Sequence, residues 1–479
     1  MRCLADPRPA GISLSLLAAG MAGLAFVSPG AAIPPSPAIR TMKILHISTS
    51  DGGGAGKAAL RLHEGLLLGG VDSKMLVESP QTGAAGVFHY REPRSLLQRI
   101  QRRYRVHKIN SDLQRYRRIR PDIRTAFSDD RGTINVQDHP MLDDADIIHL
   151  HWITYFVDGP NFFSSIKGKP VVWTLHDMNP FTGGCHYAGD CDKYKSQCGA
   201  CPQLGSTHDP DLAANIWGRK KRAYKAHNIH VVTPSLWLAN CARQSMLLGR
   251  MPVSIIPYGI PTDIFRKYDQ GFCRALLGLP QHKTIILFGA NNVMDERKGA
   301  QYLKEALQLL SKRMNVCQVV VAIFGSKFDP MHQSFGIATH VLGNIKDERL
   351  LAACYNAADV FVIPSLEDNL PNTVLESMAC GTPVIAFKTG GIPEMVSHLQ
   401  TGLLTKPKDA HALAEQLQWM VEHPHERARM GVNGRDVVCK EYTSAIQASR
   451  YVSLYASLGS CADPSSGKDL ISINRLNAI

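Results

Sequence analysis

The side chains best placed by type and spacing to do chemistry lie in the run Pro364-Ser365-Leu366-Glu367-Asp368-Asn369-Leu370-Pro371-Asn372-Thr373-Val374-Leu375-Glu376. It follows a short apolar run, Asp359–Ile363, and the pattern beyond it predicts a helix that starts near Asn372 and stops at Gly381. Asp368 then sits on the loop before the helix, and Glu376 on its first or second turn. Two carboxylates so placed can accept hydrogen bonds from vicinal hydroxyls. The free N–H groups at Leu370 to Asn372 can meet phosphate oxygens at the positive end of the helix. The combination suits a nucleotide joined to a sugar.

Other segments invite a chemical reading. Ser50-Asp51-Gly52-Gly53-Gly54-Ala55-Gly56-Lys57-Ala58-Ala59 follows the first predicted strand. Glycines there allow backbone N–H groups close approach to an anion. The run does not fit a P-loop, but Gly54, Gly56 and Ala59 satisfy G-x-G-x-x-A, with Glu78 near where a ribose-binding acid would stand. Ligand-free, the same run is a tight strand-to-helix turn. Arg297-Lys298-Gly299 is either surface charge or an anion grip. His176-Asp177 closes the strand Pro170–Leu175, where the imidazole would point into a cleft. His149 and His151 alternate on one strand and are read equally as structural or as acceptor-binding. Cys185, Cys191, Cys198 and Cys201 are spaced C-x5-C-x6-C-x2-C, which suits a structural zinc, a pair of disulfides or plain thiols.

Elements able to position these groups alternate short β-branched runs with helical stretches, which predicts parallel sheets built from βαβ units. One series of strands covers Lys43–Ser48, Ser73–Val77, Asp146–Leu150, Pro170–Leu175 and Ile229–Thr233. A second covers Thr284–Phe288, Gln318–Phe324, Asp359–Ile363 and Pro383–Phe387. Between them Val253–Pro261 reads as a linker. The expected fold class is α/β, with two doubly wound, Rossmann-like domains facing across a cleft. Expected spans are 42–260 and 261–445. A C-terminal helix and polar tail would follow over 446–479, and a leader-like or mis-started extension would precede over 1–41. Strand-end loops of two such domains would hold one substrate each.

At this point the loop resembles the acid-x7-acid signature of retaining glycosyltransferases of the family-4 type, which have the GT-B fold and include enzymes of bacterial exopolysaccharide and colanic-acid synthesis. Further landmarks follow in the expected order: Pro234-Ser235-Leu236-Trp237-Leu238, Ile256-Pro257-Tyr258-Gly259-Ile260, Arg297-Lys298-Gly299, and Gly381-Thr382-Pro383 through Gly390-Gly391-Ile392-Pro393-Glu394. The resemblance implies that Glu376 binds the ribose hydroxyls of the donor and that Asp368, where the family usually has Glu, lies near the transferred sugar. Glu367 stands beside it to make up the lost methylene. Gly53, Gly54, Leu370 and Asn372 would line the donor. Lys298 would grip the diphosphate, with Arg297 supplying a charge that the family often places just after the preceding strand. His176 would touch the donor sugar, and His149, His151 and Asp177 would stand on the acceptor side. Pro371 departs from the family's Gly-Phe-Gly pattern and removes one backbone donor. Transfer would need no cofactor, and zinc, if held by the four cysteines, would be structural.

The chain has 479 residues, 44% of them apolar and 20% charged, at a net charge of +12. At about 150 residues per domain that allows two or three globular domains. Twelve basic residues against three acidic ones between Arg91 and Arg124 carry most of the surplus, which argues against a nucleic-acid-binding coat. Leu97, Ile100 and Tyr104 recur there at helical spacing among arginines. They would either pack on the first sheet or rest on an anionic membrane. Gly11–Val27 resembles a signal peptide, so export or anchoring stands beside a cytoplasmic location, peripheral on the inner membrane face. The expected partners are a nucleotide-sugar donor, UDP- or GDP-linked, and a lipid-linked or polysaccharide acceptor. Two rival readings stay open: an NAD(P)-dependent oxidoreductase using Gly54, Gly56 and Ala59, and a non-enzymatic zinc-stabilised binding module.

Overall fold

The computed structural model describes residues 42–91, 95–121, 126–166, 168–225, 227–293, 295–326 and 335–460. The leader-like segment, the tail after 460 and parts of the basic stretch lie outside the described residues. Seven strands form a parallel sheet: β1 Lys43–Ser50, β2 Asp72–Ser79, β3 Val87–His89, β4 Ile147–Leu150, β5 Val171–Thr174, β6 Ile229–Thr233 and β7 Val253–Ile255, in the order β3-β2-β1-β4-β5-β6-β7. Six more form a second: β8 Thr284–Asn292, β9 Val319–Ser326, β10 Thr339–Gly343, β11 Val360–Ile363, β12 Val384–Phe387 and β13 Gly402–Thr405, in the order β10-β9-β8-β11-β12-β13. Both sheets reverse direction at the same place, beside their first strand, and the crevice there is where doubly wound sheets bind ligands.

Alternation of side chains builds each core on two faces. Leu45, Ile47, Ile148, Leu150, Val171 and Trp173 enter one apolar cluster of the first sheet, while Ile44, Ile147, Val172 and Val232 enter the other. That second face is closed by the C-terminal helix Ser444–Ser460, whose Tyr451 and Tyr455 are fully buried in it. The chain therefore crosses from the first half to the second near Ile260 and returns near Thr443. The crossings run side by side, with the Ile260 N–H donating to the Tyr442 carbonyl at 2.8 Å and the Ser444 N–H to that of Ile260 at 3.2 Å. Val253–Ile255, expected to be linker, is instead the edge strand β7, paired with β6 through Val231–Thr233.

Histidines from three neighbouring strands meet in the first core. His46 on β1 lies beside His149 on β4 in register, and His151 and His176 follow β4 and β5. His149 donates to or accepts from the hydroxyls of Tyr455 and Thr174, each at 2.7 Å, while His151 bridges His46 at 2.9 Å and His176 at 3.2 Å. Their rings lie tilted against one another, with centroids 4.2 Å apart for His149 and His151 and 4.8 Å for His46 and His149. Of the two readings of His149 and His151, structural or acceptor-binding, their burial favours the structural one. Both faces of a parallel sheet are covered, so a strand histidine has no solvent side. Burial holds His46, His149 and His151 well below the usual imidazole range and brings His176 to about 4.

Because the folded values are depressed, the unfolded chain binds more protons below about pH 6.5. Stability should be unaffected by these groups above that pH and should fall as pH drops below it, by up to ~1.4 kcal/mol per pH unit for each histidine. Thermal melts at pH 7.5, 6.5 and 5.5 check this. The midpoint should fall most over the last step.

Candidate active site

Loops after the central strands of both sheets meet around a cavity of about 530 Å³, within the range of small-ligand sites. From the first half it is lined by Gly52 to Ala55, Trp152, His176 and Asp177. From the second it is lined by Gly289 to Asn292, Arg297, Lys298, Asp368, Leu370 to Thr373 and Glu376. Of the expected residues, Gly53, Gly54, His176, Asp177, Arg297, Lys298, Asp368, Leu370, Asn372 and Glu376 are brought together there. Glu367 is not. Its carboxylate turns aside to accept the Gly189 N–H at 3.0 Å, so it does not stand in for the methylene missing from Asp368.

Local chain geometry sets the two cations. Asp295 caps a short turn, Glu296–Lys298, that ends on Gly299 with φ of +69°. A Cβ at 299 would strike the Pro364 carbonyl, so glycine lets this turn press onto the end of β11. Lys298 Nζ then donates to Asp368 Oδ2 at 2.6 Å, and Arg297 Nη1 stands 3.3 Å from Asp368 Oδ1 and 2.7 Å from the Glu367 carbonyl. Arg297 also stacks under the Tyr187 ring at 4.3 Å, a contact joining the two halves. Gly390, at φ of +54°, makes the matching approach behind Asp368. Burial raises the Asp368 carboxyl, but Lys298 and Arg297 outweigh it and hold the group below its ordinary value. Burial and the adjacent Arg297 draw the Lys298 ammonium down, with Asp368 opposing.

The helix Asn372–Ala379 begins where the sequence places it, and ends before Gly381 with φ of +73°. Pro371 occupies its N-cap and caps nothing, so no capping side chain claims the first-turn N–H groups of Asn372 and Thr373 beside the cavity. Glu376 is buried one turn on. Its Oε1 accepts from Arg61 at 2.7 Å and its Oε2 from the Tyr355 hydroxyl at 3.0 Å. Asn369 joins the halves, accepting from Ser235 Oγ at 2.6 Å and donating to the His176 carbonyl at 3.1 Å.

On the opposite wall, His176 Nδ1 meets the Tyr258 hydroxyl at 2.7 Å, and its Nε2 meets His151. Both ring nitrogens are thus engaged within the protein. Asp177 accepts from His186 at 2.6 Å, Trp152 at 3.0 Å and the Asn179 N–H at 2.9 Å. Burial raises its carboxyl, but His186 more than offsets this and the group stays low. Arg61, Tyr187, Tyr258 and Tyr355 escaped sequence reasoning. Tyr258 sits inside a quoted landmark without a role, and the others have no local signal.

The glycine run becomes the helix Gly53–Leu68, so Gly54, Gly56 and Ala59 lie within a helix, and Glu78 is held by Arg102 at 3.1 Å. Cys185, Cys191, Cys198 and Cys201 share one loop with no disulfide among them, and burial raises Cys198 to about 11. Among the described residues, the group of potential metal ligands drawn within 4.8 Å of one another is His46, His149 and His151, not these cysteines.

Residues 269–437 match the family model for glycosyl transferases group 1. A D-inositol 3-phosphate glycosyltransferase of Thermobifida fusca is 30% identical over 317 residues, 63% of this chain and 68% of that protein. The chain belongs to the group 1 glycosyl transferases. A similar relative in Catenulispora acidiphila is 25% identical over 60% of this chain, which spans 65% of that protein's length. An Escherichia coli protein named for colanic acid biosynthesis, the glycosyl transferase WcaC, is 25% identical over 84% of this chain and 98% of its own. Among solved structures, the sucrose-phosphate synthase of Thermosynechococcus elongatus aligns with a TM-score of 0.61 at 20% identity, over 88% of this chain and all of its own. The Anabaena protein HepE in complex with UDP-glucose aligns at 0.60 and 15%, over 87% of this chain and all of its own. These two share the GT-B fold with it.

Lys298→Met should weaken binding of a nucleoside diphosphate about ten- to hundredfold, the worth of one charge-assisted contact. Arg297 remains beside Asp368, so the variant should stay folded. Calorimetric titration with UDP, GDP and ADP decides the matter, and wild-type affinity would remove Lys298 from the ligand's reach.

Proposed function

We propose that the protein transfers a sugar from a UDP- or GDP-linked donor to an acceptor hydroxyl, with retention of configuration. One observation carries the reading: Lys298, Asp368 and Glu376, with Arg297, surround a single cavity between two sheets at their switch points. In this reading Glu376 accepts the ribose hydroxyls, and the first-turn N–H groups at Asn372 and Thr373 meet the diphosphate. Lys298 and Arg297 take up the negative charge that grows on the diphosphate as the sugar's C1–O bond breaks. The acceptor oxygen bonds to C1 on the same face, and its proton passes to the departing phosphate oxygen. No enzymatic nucleophile enters. The two cations supply the charge at the leaving group, so transfer proceeds without a metal.

The UDP-glucose bound by HepE, which shares this fold, favours a uridine donor, and the full-length match to WcaC favours a surface-polysaccharide or lipid-linked acceptor. The oxidoreductase reading loses its support, since Glu78 is paired with Arg102 and stands outside the cavity lining. A binding module would leave Lys298 and Asp368 without work.

The acceptor's location is part of the same proposal. Among the described residues no helix is long and apolar enough to cross a membrane. Leu96, Leu97, Ile100 and Tyr104 of the helix Leu96–Gln114 stand 69%, 71%, 55% and 65% exposed along one stripe, so they do not pack on the sheet. Arg99, Arg103 and Lys108 flank the stripe. An apolar stripe edged by cations fits an anionic bilayer surface, and the protein would sit peripherally on it.

A thermal-shift panel of UDP-, GDP- and ADP-sugars tests the donor. One base should raise the melting temperature, by ~2.7 kcal/mol of stabilisation at about a hundredfold excess over Kd, and Glu376→Ala should abolish the shift. A panel without any shift refutes the reading, as does an inverted anomeric proton by NMR. Flotation with vesicles of phosphatidylglycerol should carry the wild-type protein up, and Leu97→Asp with Ile100→Asp should stay below. Equal flotation of both removes the helix from the membrane contact.

A further inference from the structure

Arg61 projects from the helix Gly53–Leu68 of the first half and is buried, at 3% exposure. Its Nη2 donates to Glu376 Oε1 and to Glu348 Oε1, both at 2.7 Å, across to the second half. The guanidinium lies over the Phe265 ring at 5.1 Å. Among the described residues its Nε and Nη1 have no hydrogen-bond partner. Burying a guanidinium with two orphaned donors is costly, and an apolar pair in place of Arg61 and Glu376 together would relieve that cost. Stability alone is thus a weak reason for its presence.

Its neighbours give a better one. Gly54, Lys57 and Arg61 recur at i, i+3 and i+7 along one side of their helix, and each meets the second half. The Gly54 carbonyl accepts from Asn372 Nδ2 at 3.0 Å, and Lys57 Nζ reaches the Lys346 carbonyl at 3.4 Å. Asn372 and Glu376 are in turn one turn apart on the signature helix. Two helices from different halves are therefore matched at two levels, Gly54 with Asn372 and Arg61 with Glu376. Each oxygen of a carboxylate has two acceptor directions. Arg61 and Tyr355 take one apiece, and Glu376 still lines the cavity with the others.

Resting on the donor-site reading above, we infer that Arg61 is a positioning residue. It fixes the rotamer and charge of Glu376 from the opposite domain, so that the carboxylate meets the ribose hydroxyls of the nucleotide. Arg61 itself does not line the cavity.

The inference predicts a loss confined to the ribose. UDP, GDP and their 2′,3′-dideoxy analogues are titrated by calorimetry into wild-type protein, Arg61→Met and Arg61→Lys. Wild-type protein should bind the ribonucleotide about tenfold or more tightly than its dideoxy analogue. Arg61→Met should lose most of that preference by weakening the ribonucleotide alone, and Arg61→Lys, which keeps charge but not the fork, should fall between. Equal weakening of both nucleotides marks Arg61 as a mere structural tie and overturns the inference, as does an unchanged preference. If Arg61→Met does not fold by circular dichroism, Arg61→Lys decides alone, and a wild-type preference in it is the overturning result. Wild-type protein that binds neither nucleotide, or binds ribo and dideoxy forms alike, fails the donor-site reading itself and this inference with it.

Discussion

A carboxylate stripped of water and held between two cations sets the shape of the cleft. Burial disfavours the charge on Asp368, and Lys298 with Arg297, both only part-buried, offset it and hold the group ionised. Removing Asp368 would leave both cations without their shared counter-charge, whereas removing Lys298 leaves Arg297 beside the carboxylate. The loops that bear them are therefore locked together before any ligand arrives. In the proposed function an entering diphosphate would meet cations already aimed into the cavity and would share them with Asp368. Arg61 and Glu376 repeat the same logic deeper in the cleft, with the two charges drawn from opposite halves of the chain.

The two sheets have the same strand order, and that symmetry explains why residues more than three hundred positions apart share a cavity. In each half the loop after the first strand and the loop after the fourth open at the switch point. The glycine turn after β1 and the Lys298 turn after β8 thus occupy equivalent places. Neither turn could do its part as a generic connection. The first needs Gly56 where its helix presses on the Ser50 carbonyl, and the second needs Gly299 to press the Lys298 turn against Pro364, at the start of the loop that carries Asp368. Contacts such as Glu394 accepting the N–H groups of Leu236 and Trp237, at 2.7 and 2.9 Å, then fasten one half's helix start to the other half's acid.

Central strands were legible because both their faces are buried, which writes continuous apolar runs into the chain. The unforeseen strands β3, β7, β10 and β13 are the four sheet edges. They are short, and β3, β7 and β10 are not fully buried, so they have no such run. The signature loop and its helix were legible because proline, asparagine and glycine mark their ends. The placement of His149 was not, since its partner Tyr455 lies 306 residues further on, in a helix that closes a face its own neighbourhood leaves open. Arg61 was illegible for the same reason. Nothing in Leu60-Arg61-Leu62 announces that its helix will be pressed against Glu376. Glu367 shows the opposite failure, an acid in the right sequence position whose side chain the loop turns toward Gly189.

The paired crossings at Ile260 and Thr443 carry a mechanical consequence. A single linker would let two lobes twist, tilt and slide independently. Here a second covalent thread returns alongside the first and ends in a helix embedded in the opposite lobe. Torsion about the connection would shear that helix from its seat, whereas bending across it would not. The two walls of the cavity are thereby kept in register about the connection.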